Sequence, residues 1–191
     1  MKQEKEIRNI TNQIKRVSDT SRMVEGVAIV FNSESVDMGF YETIAPTAID
    51  NDTINNSDVF AYLDHNENRG VLARCRYGKG SLDLWIEKDG LHYRFDAPNT
   101  QLGDELLSYL SRGEITASSF AFTISEDGEK WERSEDGTLR RTITKIDRLF
   151  DVSPVFTPAY ETTSVAKRKV EQINRLDALQ AELDELYNAN A

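Results

Sequence analysis

The stretch Ile115-Thr-Ala-Ser-Ser-Phe-Ala-Phe122 decides how the rest of the chain is read. β-Branched and aromatic residues dominate it, and Gly113-Glu114 precedes it as a turn, so it is expected to be a strand. Side chains alternate between the two faces of a strand. Ser118, Phe120 and Phe122 therefore share one face, and Ser119, Ala121 and Thr123 the other. The phenylalanines belong on the core side. Ser119 then stands among small residues, which leave room for a substrate to approach. A register slip of one residue would exchange the two serines, which makes Ser118 the rival nucleophile.

A serine hydroxyl is a weak nucleophile until a base takes its proton, and histidine has a suitable pKa for that task. The chain has only two histidines, His65 and His92. His92 lies within Leu91-His-Tyr-Arg-Phe95, which has the look of a hairpin strand. His65 follows the apolar run Val59-Phe-Ala-Tyr-Leu63, where a strand hands over to a loop. Functional residues concentrate at such places.

Composition narrows the alternatives. A chain of 191 residues fits one domain plus an appendage, and 39% hydrophobic residues with 9% aromatics support a real core. The net charge of −10 argues against nucleic acid and against an anionic membrane surface, because both select clustered lysine and arginine. Cys75 is the only cysteine, so no disulfide closes within the chain. Its strand-like setting, Val71-Leu-Ala-Arg-Cys-Arg-Tyr77, suits a small core residue better than a nucleophile. No apolar stretch reaches the ~20 residues of a membrane-spanning helix. Metal-ligand spacing of Cys and His and a Gly-rich phosphate loop are both absent, so no cofactor is expected.

Residues 1–20 are polar and mixed in charge and are expected to form a flexible arm, with a turn of helix around Ile10–Ile14. Arg22–Asn32 and Phe40–Ile44 read as strands, and Pro46 is placed to open a short helix over Pro46–Asp50. Asn51–Ser57 is turn-rich, and Asp58–Leu63 is a strand leading to His65. Val71–Tyr77, Ser81–Glu87 and Leu91–Ala97 form a meander, with Lys88-Asp-Gly90 as a hairpin turn. Asn99–Arg112 is the internal helix, capped by Asn99 or Thr100 and stopped by Gly113. Thr123–Leu139 is expected to be an exposed hairpin around Asp127-Gly128 and Asp136-Gly137. Arg140–Asp147 alternates again. Phe150–Phe156 is the last strand-like piece, with Pro154 and Pro158 confining regular pairing to edge or terminal positions. Val165–Asn188 contains no Gly or Pro, and Leu176, Leu179, Leu183 and Leu186 run three, four, three along a helix.

Six segments, in this order, carry a family resemblance: Gly26-Val-Ala-Ile-Val-Phe-Asn32, Phe40-Tyr-Glu-Thr-Ile-Ala-Pro46, Ala61-Tyr-Leu-Asp-His-Asn66, Asn99-Thr-Gln-Leu-Gly-Asp104, Ser118-Ser-Phe-Ala-Phe122 and Leu149-Phe-Asp-Val-Ser-Pro-Val-Phe-Thr-Pro-Ala-Tyr160. Together they resemble the tailed-phage prohead proteases, capsid-maturation serine proteases distantly similar in fold to the herpesvirus assemblins. The resemblance spans about Val24 to Val165. It implies an α+β fold with a mostly antiparallel, partly closed β-barrel, one internal helix and a C-terminal helix. A flexible arm at 1–20, a protease domain at 21–165 and a C-terminal helix at 166–191 follow as the expected division.

The resemblance also implies chemistry. Ser119 is the expected nucleophile, since it directly precedes Phe120-Ala-Phe122 as the family's serine precedes its own aromatic pair. His65 is the expected base. Asp151 stands where the family carries an acidic residue, usually Glu, and is expected to orient the ring. The herpesvirus relatives use a second histidine in that role, and His92 does not fall at the matching place. The implied reaction is cleavage of the major capsid protein's scaffolding segment, and of the chain itself, inside the procapsid in the host cytoplasm. Self-association fits the same role. The alternative is a non-catalytic procapsid assembly module of the same fold.

Overall fold

The serine strand lies inside a sheet, with a paired strand on either side. In a computed structural model, residues 4–10, 14–156 and 164–189 are described. Strands β1 (Glu6–Ile10), β2 (Ile14–Arg16), β3 (Met23–Val30) and β4 (Tyr41–Ile44) come first. Helix α1 (Asn51–Asn55) and strand β5 (Asp58–Ala61) follow, then a single 3-10 turn at Glu67–Arg69. The meander is β6 (Ala73–Arg76), β7 (Lys79–Gly80), β8 (Leu82–Ile86) and β9 (Gly90–Asp96). Helix α2 (Gln101–Ser111) leads into β10 (Ala117–Ile124), β11 (Glu129–Arg133), β12 (Leu139–Ile143) and β13 (Ile146–Val155). Helix α3 (Ser164–Ala189) comes last.

The fold is mixed α+β. The described strands form three sheets, ordered β1-β10-β13-β5-β6-β7, β2-β3-β9-β8 and β11-β12-β4. No closed barrel is found among the described strands, where the expectation was of a partly closed one. Most neighbours are antiparallel; β12 with β4 and β13 with β5 are parallel. The core between the sheets is built from Val24, Ile29, Val59, Leu91, Tyr93, Phe95, Phe120, Phe122, Leu149 and Val152, with Leu106 of α2 closing one side. Gly26 is required where it is, because a Cβ there would lie 2.4 Å from the Tyr93 ring.

Several elements depart from what the sequence suggests. The expected arm at 1–20 carries β1 and β2: Glu6–Ile10 pairs antiparallel with β10, and Ile14–Arg16 pairs with β3. The reason is ionic. Glu6 and Arg8 are buried, and they meet Glu42 of β4 and Arg141 of β12 through side-chain bonds of 2.6–2.8 Å. Arg141 is 2% exposed rather than a surface charge. The expected helical turn around Ile10–Ile14 falls largely outside the described residues. The early helix begins at Asn51 rather than Pro46, because Asp50 accepts bonds from the Thr53 backbone N–H and hydroxyl and so caps it. Pro154 agrees with the sequence in lying at the terminal end of its strand, as the penultimate residue of β13. It is tolerated because β5 pairs with β13 only at Phe60–Asp151, so no neighbouring strand seeks its missing N–H, and its carbonyl accepts from Asp64 instead. Pro158 lies outside the described residues.

The chain divides into two compact units, Met1–Glu161 and Thr162–Ala191. In the second unit, α3 leaves Leu176, Leu179, Leu183 and Leu186 about half exposed, at 47–61%. No helix among the described residues is long and apolar enough to cross a membrane.

Candidate active site

Three segments meet at the serine. Strand β10 pairs with β1 on one side and β13 on the other, so that Ser119 stands opposite Asn9 and opposite Ser153. The pleat sends Ser118 to the core, where its hydroxyl lies 2.7 Å from that of the buried Tyr93. Ser119 faces the other way, and its Oγ is 2.5 Å from His65 Nε2. The two residues are 54 positions apart in sequence.

His65 reaches the serine through a turn with unusual backbone. Strand β5 ends at Ala61, and Asp64 and His65 both adopt positive φ, at 57° and 54°. Successive non-glycine residues in this region are strained, and such strain gathers where structure must place a functional side chain. The turn is pinned to β13: the Asp64 N–H donates to the Pro154 carbonyl at 2.9 Å, and the Tyr62 N–H to Ser153 Oγ at 3.3 Å.

Asp151 completes the group. It lies on β13 opposite Ala121, where a bulge follows at Ala121–Phe122. Its Oδ1 is 2.6 Å from His65 Nδ1. The Ser153 hydroxyl donates to the same Oδ1 at 2.9 Å, and Lys5 Nζ donates to Oδ2 at 3.1 Å. Burial pushes the Asp151 carboxyl up, but the imidazole, the Lys5 ammonium and the Ser153 hydroxyl outweigh it and hold it below the ordinary carboxylate value.

The Ser119 hydroxyl has a second neighbour, the Arg8 carbonyl at 3.0 Å. A hydroxyl carries one proton. With a neutral ring protonated at Nδ1, that proton is free to point at Nε2. With a doubly protonated ring, Nε2 donates to Oγ and the serine turns its proton to Arg8. Both states of the ring thus find a satisfied serine, and only the first leaves a base for the hydroxyl.

The other candidates are placed elsewhere. His92 on β9 bonds Asp89 at 2.9 Å and stacks on Trp85. Cys75 is buried in β6, and burial pushes its thiol up. Among the described residues, one trio has ligand atoms within 4.8 Å of one another, Glu87, Asp89 and His92 at the β8–β9 hairpin. Those atoms already serve one another and the Trp85 N–H. Lys5, Arg8 and Ser153 are the site neighbours that the sequence reading did not reach. The only trace of them is Ser153, which shares the segment Phe150-Asp-Val-Ser-Pro154 with Asp151.

No curated protein sequence matches the chain. A solved structure does, that of the bacteriophage T4 capsid assembly protease gp21, with a TM-score of 0.50 at 13% identity, covering 83% of this chain and 100% of that one. At that identity the likeness speaks for the fold. The family comparison reaches further, because the model of the caudovirus prohead serine proteases matches residues 8–176. That match takes in β10, the His65 turn and β13 alike, and the chain belongs to the caudovirus prohead serine protease family.

Proposed function

We propose that the chain is a serine endopeptidase that cleaves the scaffolding segment of the major capsid protein, and itself, inside the procapsid. The observation that carries this is the 2.5 Å contact between His65 Nε2 and Ser119 Oγ, with Asp151 at the other ring nitrogen, in a chain of this family.

In the proposed reaction Ser119 Oγ attacks the carbonyl carbon of the scissile peptide while His65 Nε2 takes the hydroxyl proton. A C–O bond forms, and the carbonyl electron pair moves onto its oxygen. Collapse breaks the C–N bond, and the Nε2 proton passes to the leaving amine. Water then attacks the ester with His65 again as base, releasing the acid and restoring Ser119. Asp151 holds the ring and favours its charged form during each transfer. The C-terminal helix α3 recruits the enzyme through a helical scaffold segment that covers its leucines.

The test is co-expression with the capsid protein, followed by weighing the fragments. Ser119→Ala is expected to abolish cleavage of both capsid protein and self. Ser118→Ala is expected to retain most activity, because its hydroxyl serves Tyr93. Reversed results would give the nucleophile's role to Ser118, and two active mutants would leave a non-catalytic assembly module.

A further inference from the structure

We propose that Lys5 is a positioning residue of this site: its ammonium shares the Asp151 carboxylate with His65 and so sets the pH range over which His65 works as a base. The inference rests on the reading of His65 as base given above.

The two oxygens of Asp151 are divided. Oδ1 faces His65 and Ser153, and Oδ2 faces Lys5, from the residue just ahead of β1. The carboxylate side chain is only 2% exposed, so its charge is little diluted by water. Lys5 is half exposed, and its Nζ stands over the Phe150 ring, 5.4 Å from the centroid. The segment behind it is fixed. Glu6 and Arg8 are locked into the buried ion cluster, and the Arg8 carbonyl meets Ser119. Residues 5–8 therefore touch both ends of the Ser119–His65–Asp151 group.

The consequence follows from charge. A carboxylate beside an imidazole favours the imidazolium, which cannot accept the serine proton. A second cation on the far oxygen offsets that pull, so the ring gives up its proton at lower pH. Other charged groups on this side are Asp64, the exposed neighbour of His65 in the turn, Glu67 just after it, and Asp58 and Arg74, which together with Asp151 act on the Tyr62 hydroxyl. Asp58 and Arg74 are paired with each other and largely cancel. Glu67 works in the same direction as Asp151. Among these groups Lys5 is the cation in contact with the carboxylate.

The test compares Lys5→Met, which keeps an unbranched side chain and removes the charge, with Lys5→Arg, which restores it. The acid limb of kcat/KM against pH for a peptide substrate is expected to move alkaline by about half to one unit in Lys5→Met, a loss of about 3–10-fold on that limb. Lys5→Arg is expected to restore it. A second readout needs no turnover: NMR titration of the His65 ring in a Ser119→Ala background, assigned with His92→Gln since the chain has two histidines. The ring midpoint should move with the limb. Cleavage with an unmoved limb and an unmoved midpoint would overturn the role of Lys5. A moved midpoint without peptide cleavage in the parent chain would uphold the coupling and overturn the protease reading instead.

Discussion

Replacing Arg141 by methionine should unfold much of what holds the first strand. The guanidinium gives Glu6 two bonds of 2.7–2.8 Å, Glu42 one of 2.8 Å and Glu129 one of 2.7 Å. Among the described residues Arg8 supplies the other cation seen in the cluster, so two positive charges face three carboxylates there. Methionine fills most of the space but leaves three carboxylates against one arginine, two of them buried. Breaking a buried pair from one side costs about 3–5 kcal/mol, because the partner stays behind desolvated and uncompensated. For a chain of this size that is a fall in Tm of roughly 6–20 °C. Urea unfolding followed by far-UV circular dichroism measures it, with an unchanged m-value as the check on two-state behaviour. Arg141→Lys should fall between the two, since an ammonium keeps the charge and loses the fork. Adding Glu42→Gln to Arg141→Met should recover part of the loss. A loss below about 1 kcal/mol for Arg141→Met would refute the argument, because it would mean that the cluster is no more than a solvated surface pair.

Asp151→Asn should slow peptide hydrolysis by orders of magnitude yet leave more activity than His65→Ala, as an orienting group contributes less than the base; full activity in the Asn variant would release Asp151 from the role. Stability should fall in acid. Glu6 and Asp151 both titrate below their ordinary values in the folded chain, so the stability they add is complete above the unfolded value and is lost as pH falls through the folded one. Urea midpoints between pH 7 and pH 3 would show it, and a midpoint that stays level throughout would argue against both groups. Deleting residues 170–191 should leave hydrolysis of a short peptide nearly unchanged and lower the copies packaged per procapsid, counted by quantitative mass spectrometry. An unchanged copy number would remove the recruiting role from the helix.

What could be read in the sequence was local. The serine strand, the Thr100-capped helix, the Asp89-Gly90 hairpin and the long C-terminal helix each announce themselves by periodicity and turn chemistry within a dozen residues. The pleat alone distinguishes Ser119 from Ser118, and the structure places the first by His65 and the second by Tyr93. What was hidden was non-local. Glu6, Arg8 and Arg141 look solvated one at a time, and their burial makes sense only when β1, β4 and β12 come together. The left-handed turn at Asp64-His65 carries no glycine, only an Asp and a His, which enter that region more often than other side chains but do not mark it alone. Lys5 is one of several charges in a polar leader, and nothing near it in sequence points to a carboxylate 146 residues away.

That last separation bears on timing. Ser119 meets the Arg8 carbonyl across 111 residues, and Lys5 meets Asp151 across 146. Contacts this distant form late, since the long intervening loop must be closed before they return any energy. On the ribosome the leading strand emerges early and waits for β10, and the carboxylate that anchors Lys5 is made later still. A half-made chain therefore has His65 without its serine, or both without their acid. On the proposed reading, the order of synthesis leaves the Ser119–His65–Asp151 group incomplete until nearly all of the first unit has been made.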